Sequence, residues 1–252
     1  MRLLLYTAET VPEDLALEEA IQLGLEEGVS PPTLRIWQPS QHAVVVGTGQ
    51  EAAREVNLVS AREAGVPVLR RHSGGGAVLI GPGILNYSAF HRIAELPGAS
   101  TIGGAMRAAI EPVRQALARL GVTTLEAGLS DLAAPAPDGS LRKIAGHAQA
   151  RKRLSVLVHG TLLADPDWRL IEQLLAFPSR APDYRAGRTH RQFLISLREL
   201  GAGWDPHALA AALAAVLGKQ AQEEPEPLPA ELAKARQLAG TKYARDRWNL
   251  RR

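Results

Sequence analysis

The stretch Arg70-Arg71-His72-Ser73-Gly74-Gly75-Gly76-Ala77-Val78 sets two arginines directly against three consecutive glycines, with apolar β-type residues on both sides. Three glycines in a row lose much conformational entropy on folding and give no side chain to packing. One use for such a run is to lay bare backbone against a ligand, with N–H groups free to meet an anion. The plain alternative is a loose connection or a bulge. The paired arginines favour the ligand, because they supply the positive charge an anionic group would need. Around this loop the frame of the fold appears: Val66–Arg70 reads as a strand entering it and Ala77–Ile80 as a strand leaving it.

Outward from the loop, elements alternate. On the N-terminal side, Leu3–Leu5, Thr33–Trp37 and Ala43–Val46 read as strands. Thr10 with Glu13 reads as a capping box opening a helix that carries Leu17, Ala20 and Ile21 and closes at Gly28. Asn57 can cap a short helix ending at Gly65. On the C-terminal side, Leu85–Phe90 is a strand reached through Gly81-Pro82-Gly83. Thr101 to Leu120 is a long helix with Ile102, Met106, Ile110, Val113 and Leu117 as its apolar positions. Thr123–Leu125 reads as a strand and Ala133–Gly139 as a loop. Arg142–Ala150 and Leu154–Leu163 read as two more strands, and helices dominate from Trp168. Strands cluster early with helices around them, so the class is α+β. Glu223-Glu224-Pro225-Glu226-Pro227 reads as a hinge to a last helix, which divides the chain into a domain over 1–220 and an extension over 221–252.

Composition narrows the function. The 252 residues are 46% hydrophobic, enough for a sizeable core, and only 4% aromatic, too few for nucleic-acid stacking platforms. A net charge of +3 suits an anionic small molecule or acidic partner and is too weak to argue for DNA. No apolar run approaches the roughly 20 residues that span a bilayer, and the start of the chain lacks a signal-peptide core, so the expected compartment is cytoplasmic. Zero cysteines exclude disulfides, thiolate metal sites and a thiol nucleophile.

Three further clusters carry chemistry. In Arg142-Lys143-Ile144-Ala145-Gly146-His147-Ala148-Gln149, alternation places Lys143, Ala145 and His147 on one face of a strand. A lysine there either needs an anion or points to solvent from an edge strand, and spacing alone does not choose. In Val156-Leu157-Val158-His159-Gly160-Thr161-Leu162-Leu163, His159 interrupts an apolar run; a lone histidine so placed is more often a satisfied core residue than a catalytic one. Ser130-Asp131-Leu132 by itself is a turn signal.

Taken in chain order, these pieces resemble the lipoate–protein ligase family, which shares its catalytic fold with biotin–protein ligases and octanoyltransferases. The resemblance runs over about residues 10–165 and includes Leu15-Ala16-Leu17-Glu18-Glu19-Ala20, Val44-Val45-Val46-Gly47, Glu55-Val56-Asn57 and Asn86-Tyr87-Ser88. It implies a mostly antiparallel central sheet with flanking helices. It implies ATP-dependent activation of lipoate or octanoate, with Mg2+, as an acyl-adenylate. Transfer would go to a lysine of a lipoyl carrier domain, such as a 2-oxoacid dehydrogenase E2 subunit or the glycine cleavage H protein. It assigns Lys143 to catalysis. To the acyl-adenylate it assigns Arg71, Ser73, Gly74, Gly75, Gly76, Ala77, Asn86, Gly146, His147, His159, Gly160 and Thr161, and to the metal Asp131. The chain departs from the family at Ile80-Gly81, where most ligases carry His-Asp, and in the small size of anything beyond the helix near Trp168. Two alternatives stand beside the ligase. An octanoyltransferase would draw on acyl-carrier protein, but the family's transferases hold the acyl group on a catalytic cysteine, which this chain lacks, and that sets this reading behind the ligase. A non-catalytic lipoyl-binding relative is the other.

Overall fold

The computed structural model describes residues 1–217 and 221–251. The chain opens with β1 (Arg2–Leu5), α1 (Val11–Glu27), β2 (Thr33–Trp37), β3 (Ala43–Val46), α2 (Ala52–Glu55), α3 (Leu58–Glu63) and β4 (Val68–Arg70). After the glycine loop come β5 (Val78–Ile80), β6 (Ile84–Arg92), α4 (Ile102–Arg119), β7 (Leu125–Ala127), β8 (Asp131–Pro135), β9 (Leu141–Arg151) and β10 (Ser155–Leu163). The chain then runs through α5 (Trp168–Leu174), α6 (His190–Phe193), α7 (Pro206–Leu217), β11 (Gln222–Glu224), α8 (Pro229–Leu238) and α9 (Asp246–Asn249).

Among the described residues the strands form an eight-stranded sheet, β11-β1-β2-β6-β10-β9-β8-β7, and a three-stranded sheet, β4-β3-β5. The large sheet is antiparallel from β2 through β7 and parallel only where β1 meets β2 and β11. This is the expected α+β architecture with a mostly antiparallel centre. One face of the large sheet packs on α4 and α7 through Leu85, Val158, Leu162, Met106, Val113 and Leu213. The other packs on α1 and α8 through Phe90, Leu157, Leu17, Ile21 and Ala235. The small sheet has its own apolar cluster with Ala61, Ile171 and Leu174.

Local signals account for the element ends. The Thr10 hydroxyl accepts from the Glu13 N–H, the Glu13 carboxylate accepts from the Thr10 N–H at 3.2 Å, and α1 stops at Gly28 with φ 80°. Asn57 caps α3 and Thr101 caps α4 through their side-chain oxygens.

Four expectations are corrected. Ala133–Gly139 is not all loop: Asp131–Pro135 is β8, paired with β7 and β9, because the Leu132-Ala133-Ala134 run is apolar and buried, with Leu132 and Ala134 in the core that α4 covers. The strand expected at Thr123–Leu125 lies two residues later. Ile102 is 68% exposed rather than part of the buried face of α4, since it sits in the first turn before the helix reaches the sheet. The expected hinge is in part a strand: Gln222–Glu224 pairs with Arg2–Leu4, and α8 is tied back where the Arg2 guanidinium donates to Glu231 at 2.7 and 3.0 Å. The boundary expected at 220/221 borders residues 218–220, outside the described residues.

Candidate active site

A cleft of about 770 Å3 lies between the large sheet and the glycine loop, and runs on beneath residues 176–194. Its volume is within the range of small-molecule sites. The floor is one face of β6, β10 and β9, where Thr161 stands opposite Asn86 on one side and Gly146 on the other, and His159 opposite Ser88 and Ala148. Leu15, Trp37, Val45 and Val78 supply apolar wall, and Asn86 is held by donating to the Trp37 carbonyl at 3.3 Å.

Lys143 is brought to this floor by an irregularity. Leu132 pairs with Ala145, but Ala133 pairs with Lys143, so Ile144 is an extra residue in β9. The bulge interrupts the two-residue period. Ile144 and Ala145 both enter the α4-side core, while Lys143 shares the cleft face with Gly146 and Asp131. The Lys143 Nζ lies 2.8 Å from Asp131 Oδ1 and is part-exposed. A Cβ at Gly146 would collide with the Lys143 ammonium, so this glycine gives the lysine its resting place. The other Asp131 oxygen accepts from the Tyr184 hydroxyl at 2.8 Å.

His147 is therefore not on the face of Lys143, contrary to simple alternation. It lies across the sheet, beneath Gly160, where a Cβ would come within 2.6 Å of its ring. Its Nδ1–H donates to the Ser130 carbonyl at 2.7 Å and its Nε2 accepts from the Tyr87 hydroxyl. Burial pushes its pKa down to about 4, so the ring is neutral. From there it fixes the turn that carries Asp131.

The arginines also differ from expectation. Arg71 is 5% exposed and its guanidinium donates to the carbonyls of Val45 (3.1 Å), Gly74 (2.6 Å) and Gly76 (2.7 Å) and to Ser73 Oγ (3.0 Å). Arg70 donates to the carbonyls of Gly47, Gln50, Trp248, Asn249 and Arg251. Both build the loop rather than offer free donors to a ligand. Arg71 still has no carboxylate hydrogen-bonded to it, so its charge contributes to the field in the cleft; burial pulls its pKa down to about 10. Gly75 takes φ +85°, and Gly74 and Gly76 have open space where a Cβ would stand; Gly75, Gly76 and Ala77 form the rim, and Gly74, expected there, does not line the cleft.

Ser73 and His159 are hydrogen-bonded to each other, and His159 in turn to Glu18, to which the resemblance gives no role. Ser73 Oγ lies 2.6 Å from His159 Nε2, and His159 Nδ1 lies 3.0 Å from both oxygens of Glu18, which also accepts from Ser88. Burial alone would raise the Glu18 pKa, but His159 beside it and hydrogen bonds from His159 and Ser88 outweigh that and hold it down at about 2. The order serine–histidine–carboxylate is that of a nucleophilic triad. Ser73, however, is 1% exposed and does not line the cleft, so the relay locks the loop to α1 instead. A signal for Glu18 existed: Asp14, Glu18 and Gln22 follow at four-residue spacing on the buried side of α1. Tyr87 and Glu55, which brace or line the cleft, stand in the Asn86-Tyr87-Ser88 and Glu55-Val56-Asn57 motifs without a role of their own, and Tyr184 carried no signal.

Asp131 has both oxygens committed, and no group of three or more metal-ligating side chains occurs among the described residues. These residues do not fit a resident, protein-held ion. A nucleotide-borne Mg2+ needs only one or two carboxylates, and here Asp131 would have to release Lys143 to provide one.

Residues 10–218 match the family model described as the lipoyl protein ligase A/B catalytic domain. The octanoyltransferase LipM of Kyrpidia tusciae is 30% identical, with 95% of this chain and 94% of that protein covered. The octanoyltransferase LipM of Symbiobacterium thermophilum is 32% identical over 96% and 94%. Among solved structures, the bi-partite lipoate protein ligase of Thermoplasma acidophilum, determined with its E2 lipoyl domain as an archaeal lipoylation system, superposes with a TM-score of 0.84 at 25% identity, covering 99% of this chain and 95% of that one. Among the described residues no helix is long and apolar enough to cross a membrane.

Proposed function

This chain belongs to the lipoyl protein ligase A/B catalytic-domain family, and on that premise we propose that it attaches an octanoyl or lipoyl group to a lysine of a lipoyl domain, with an octanoyl thioester of a carrier protein as the acyl donor. The observation that carries the reading is Lys143, held by Asp131 at the floor of an apolar cleft beneath a glycine rim. The ranking of donors reverses the one expected from the sequence. The two curated relatives above, each matched over more than nine-tenths of both chains, are octanoyltransferases, and this favours the transferase over the ATP-dependent ligase.

The chain has no cysteine, so it cannot hold the acyl group as a thioester, and on this reading the acceptor takes it directly from the carrier. A carrier thioester is already activated. The acceptor amine attacks the thioester carbonyl, the C–N bond forms, the C–S bond breaks, and the amine's proton leaves with the thiolate. The Lys143 ammonium stands where it can steady charge on the carbonyl oxygen, aided by N–H groups of the glycine rim. The acyl chain lies along Leu15, Trp37, Val45 and Val78. Arg180 and Arg185, which line the cleft beyond Lys143 beside a neutral His190, face the phosphate that a phosphopantetheine arm would bring.

The missing cysteine keeps ATP-dependent ligation as the second reading. Activation of the free acid as an adenylate needs no enzyme nucleophile, and the adenylate phosphate would meet the same cations. Incubating the protein with an apo lipoyl domain separates the two. Octanoyl-carrier protein without ATP should modify the lysine, read by mass spectrometry. Modification only from octanoate or lipoate with ATP and Mg2+ would install the ligase; modification from neither would end both readings.

A further inference from the structure

We propose that the segment Lys242–Arg251 is a strap that holds the glycine loop in its working shape, and that Trp248, seated on Arg70, is a positioning residue for the reaction. Its kinetic consequence rests on the acyl-transfer reading above; its structural consequence does not.

β4 is an edge strand of the small sheet, and Arg70 ends it. The strap meets that edge in place of a further strand. The Arg70 N–H donates to Asn249 Oδ1 at 3.0 Å, and the Arg70 carbonyl accepts from Trp248 Nε1 at 2.8 Å. The Arg70 guanidinium then rivets three segments, donating to the carbonyls of Trp248 (2.9 Å) and Arg251 (2.7 Å) on one side and of Gly47 (2.9 Å) and Gln50 (2.6 Å) on the other. With the carbonyls of Asn249 (3.1 Å) and Thr48 (3.4 Å), six carbonyl partners for one buried guanidinium specify a single placement of β4, because its planar donors satisfy all of them only there.

The strap is itself tied down by stacking. Lys242 Nζ and Arg251 Cζ each lie 4.1 Å from the centre of a Trp248 ring. Lys242 reaches Glu19 on α1 at 2.6 Å, and Arg251 reaches the Thr48 carbonyl at 3.0 Å. Thr48 in turn donates its N–H to the Ser73 carbonyl at 2.8 Å. The strap thus grips the loop where Arg70 leads into it and again opposite Ser73. Trp248 stands at the margin of the apolar core rather than inside it. Its loss should free the loop before it unfolds the domain, since three glycines resist disorder only as far as their flanks are held.

The test compares Trp248→Ala and Arg70→Lys with the unaltered full chain by amide hydrogen exchange, thermal melting and steady-state transfer. Exchange over residues 71–77 should rise by about tenfold in both variants while β6 and β10 keep their protection. The KM for the acyl donor should rise with kcat nearly unchanged, and the double variant should be no worse than the worse single one. If the alanine variant fails to fold, Trp248→Phe, which keeps an aromatic ring and loses the indole N–H, carries the same comparison. Unchanged exchange at 71–77 in folded variants, or an equal rise across the whole chain, would overturn the strap. Should the unaltered protein transfer no acyl group, the exchange measurement still decides.

Discussion

The two walls of the cleft use their arginines in opposite ways. On the glycine-loop wall, Arg70 and Arg71 give their donors to main-chain carbonyls and a serine hydroxyl of the protein itself. On the opposite wall, Arg185 donates its Nε–H to the Arg188 carbonyl at 2.8 Å and stacks between Phe177 and Phe193, yet its Nη2 is buried without a partner. Arg180, nearby, is exposed at the cleft. The arginines of the motif are therefore spent on shaping the wall, while its glycines Gly75 and Gly76 line the cleft. The guanidinium donors left over lie in a segment with no motif. Lys143, between the two walls, is half committed: one acid holds it and part of its ammonium is open.

This contrast can be broken at several points. Lys143→Ala should cost the most, roughly 3 kcal/mol or more of transition-state stabilisation, a loss of at least about 100-fold in transfer, with the melting temperature nearly unchanged. Wild-type turnover in a folded variant would remove Lys143 from the reaction.

Arg71→Gln should instead act on the fold, at about 3 kcal/mol, because the carbonyls of Val45, Gly74 and Gly76 lose buried donors together. Denaturant titration measures it. A loss of donor affinity with stability intact would mean that the loop arginine does meet the ligand, and that the two walls are alike.

Gly75→Val should cost about 2 kcal/mol, divided between folding and binding. The residue sits at φ +85°, and a Cβ there would stand 2.8 Å from Arg71 Nη2 and 3.0 Å from the Ala148 Cβ. A flexible connector would show no such loss, and thermal melts alongside titration with an acyl ligand distinguish the two.

His147 sharpens the floor between the walls. Its folded pKa, about 4, lies below the ordinary histidine value, so it stabilises the fold fully above pH 6.5 and loses that contribution as pH falls toward 4. By pH 4.5 the loss should be about 2 kcal/mol, and His147→Gln should flatten this part of the stability profile. An unchanged slope in the variant would assign it to other groups, such as His72, whose pKa burial also pushes down to about 4.

The smallest effect belongs to the far wall. Arg180→Ala should raise the donor KM by about tenfold, about 1.4 kcal/mol, and leave melting unchanged. No change in KM would leave Arg185 as the cation that meets the phosphate, since burial and the positive charge of Arg185 push the His190 pKa down to about 4 and its ring is neutral.

What the sequence alone determined is local. The capping box at Thr10, the caps at Asn57 and Thr101, the glycine stop at Gly28 and the long strands β6, β9 and β10 follow from chemistry within a few residues, which is why they were legible. The family was legible too, because the motifs keep their order along the chain. Only the tertiary structure decided which face each site residue takes and what it touches. One extra residue at Ile144 turned Lys143 away from His147, and a bulge depends on the partner strand, not on the bulged one. The stripe Asp14, Glu18, Gln22 announced three buried polar groups on α1. Their partners, Arg35, His159 and His72, come from β2, β10 and the glycine loop, and a buried charge finds its counterpart only when those segments assemble.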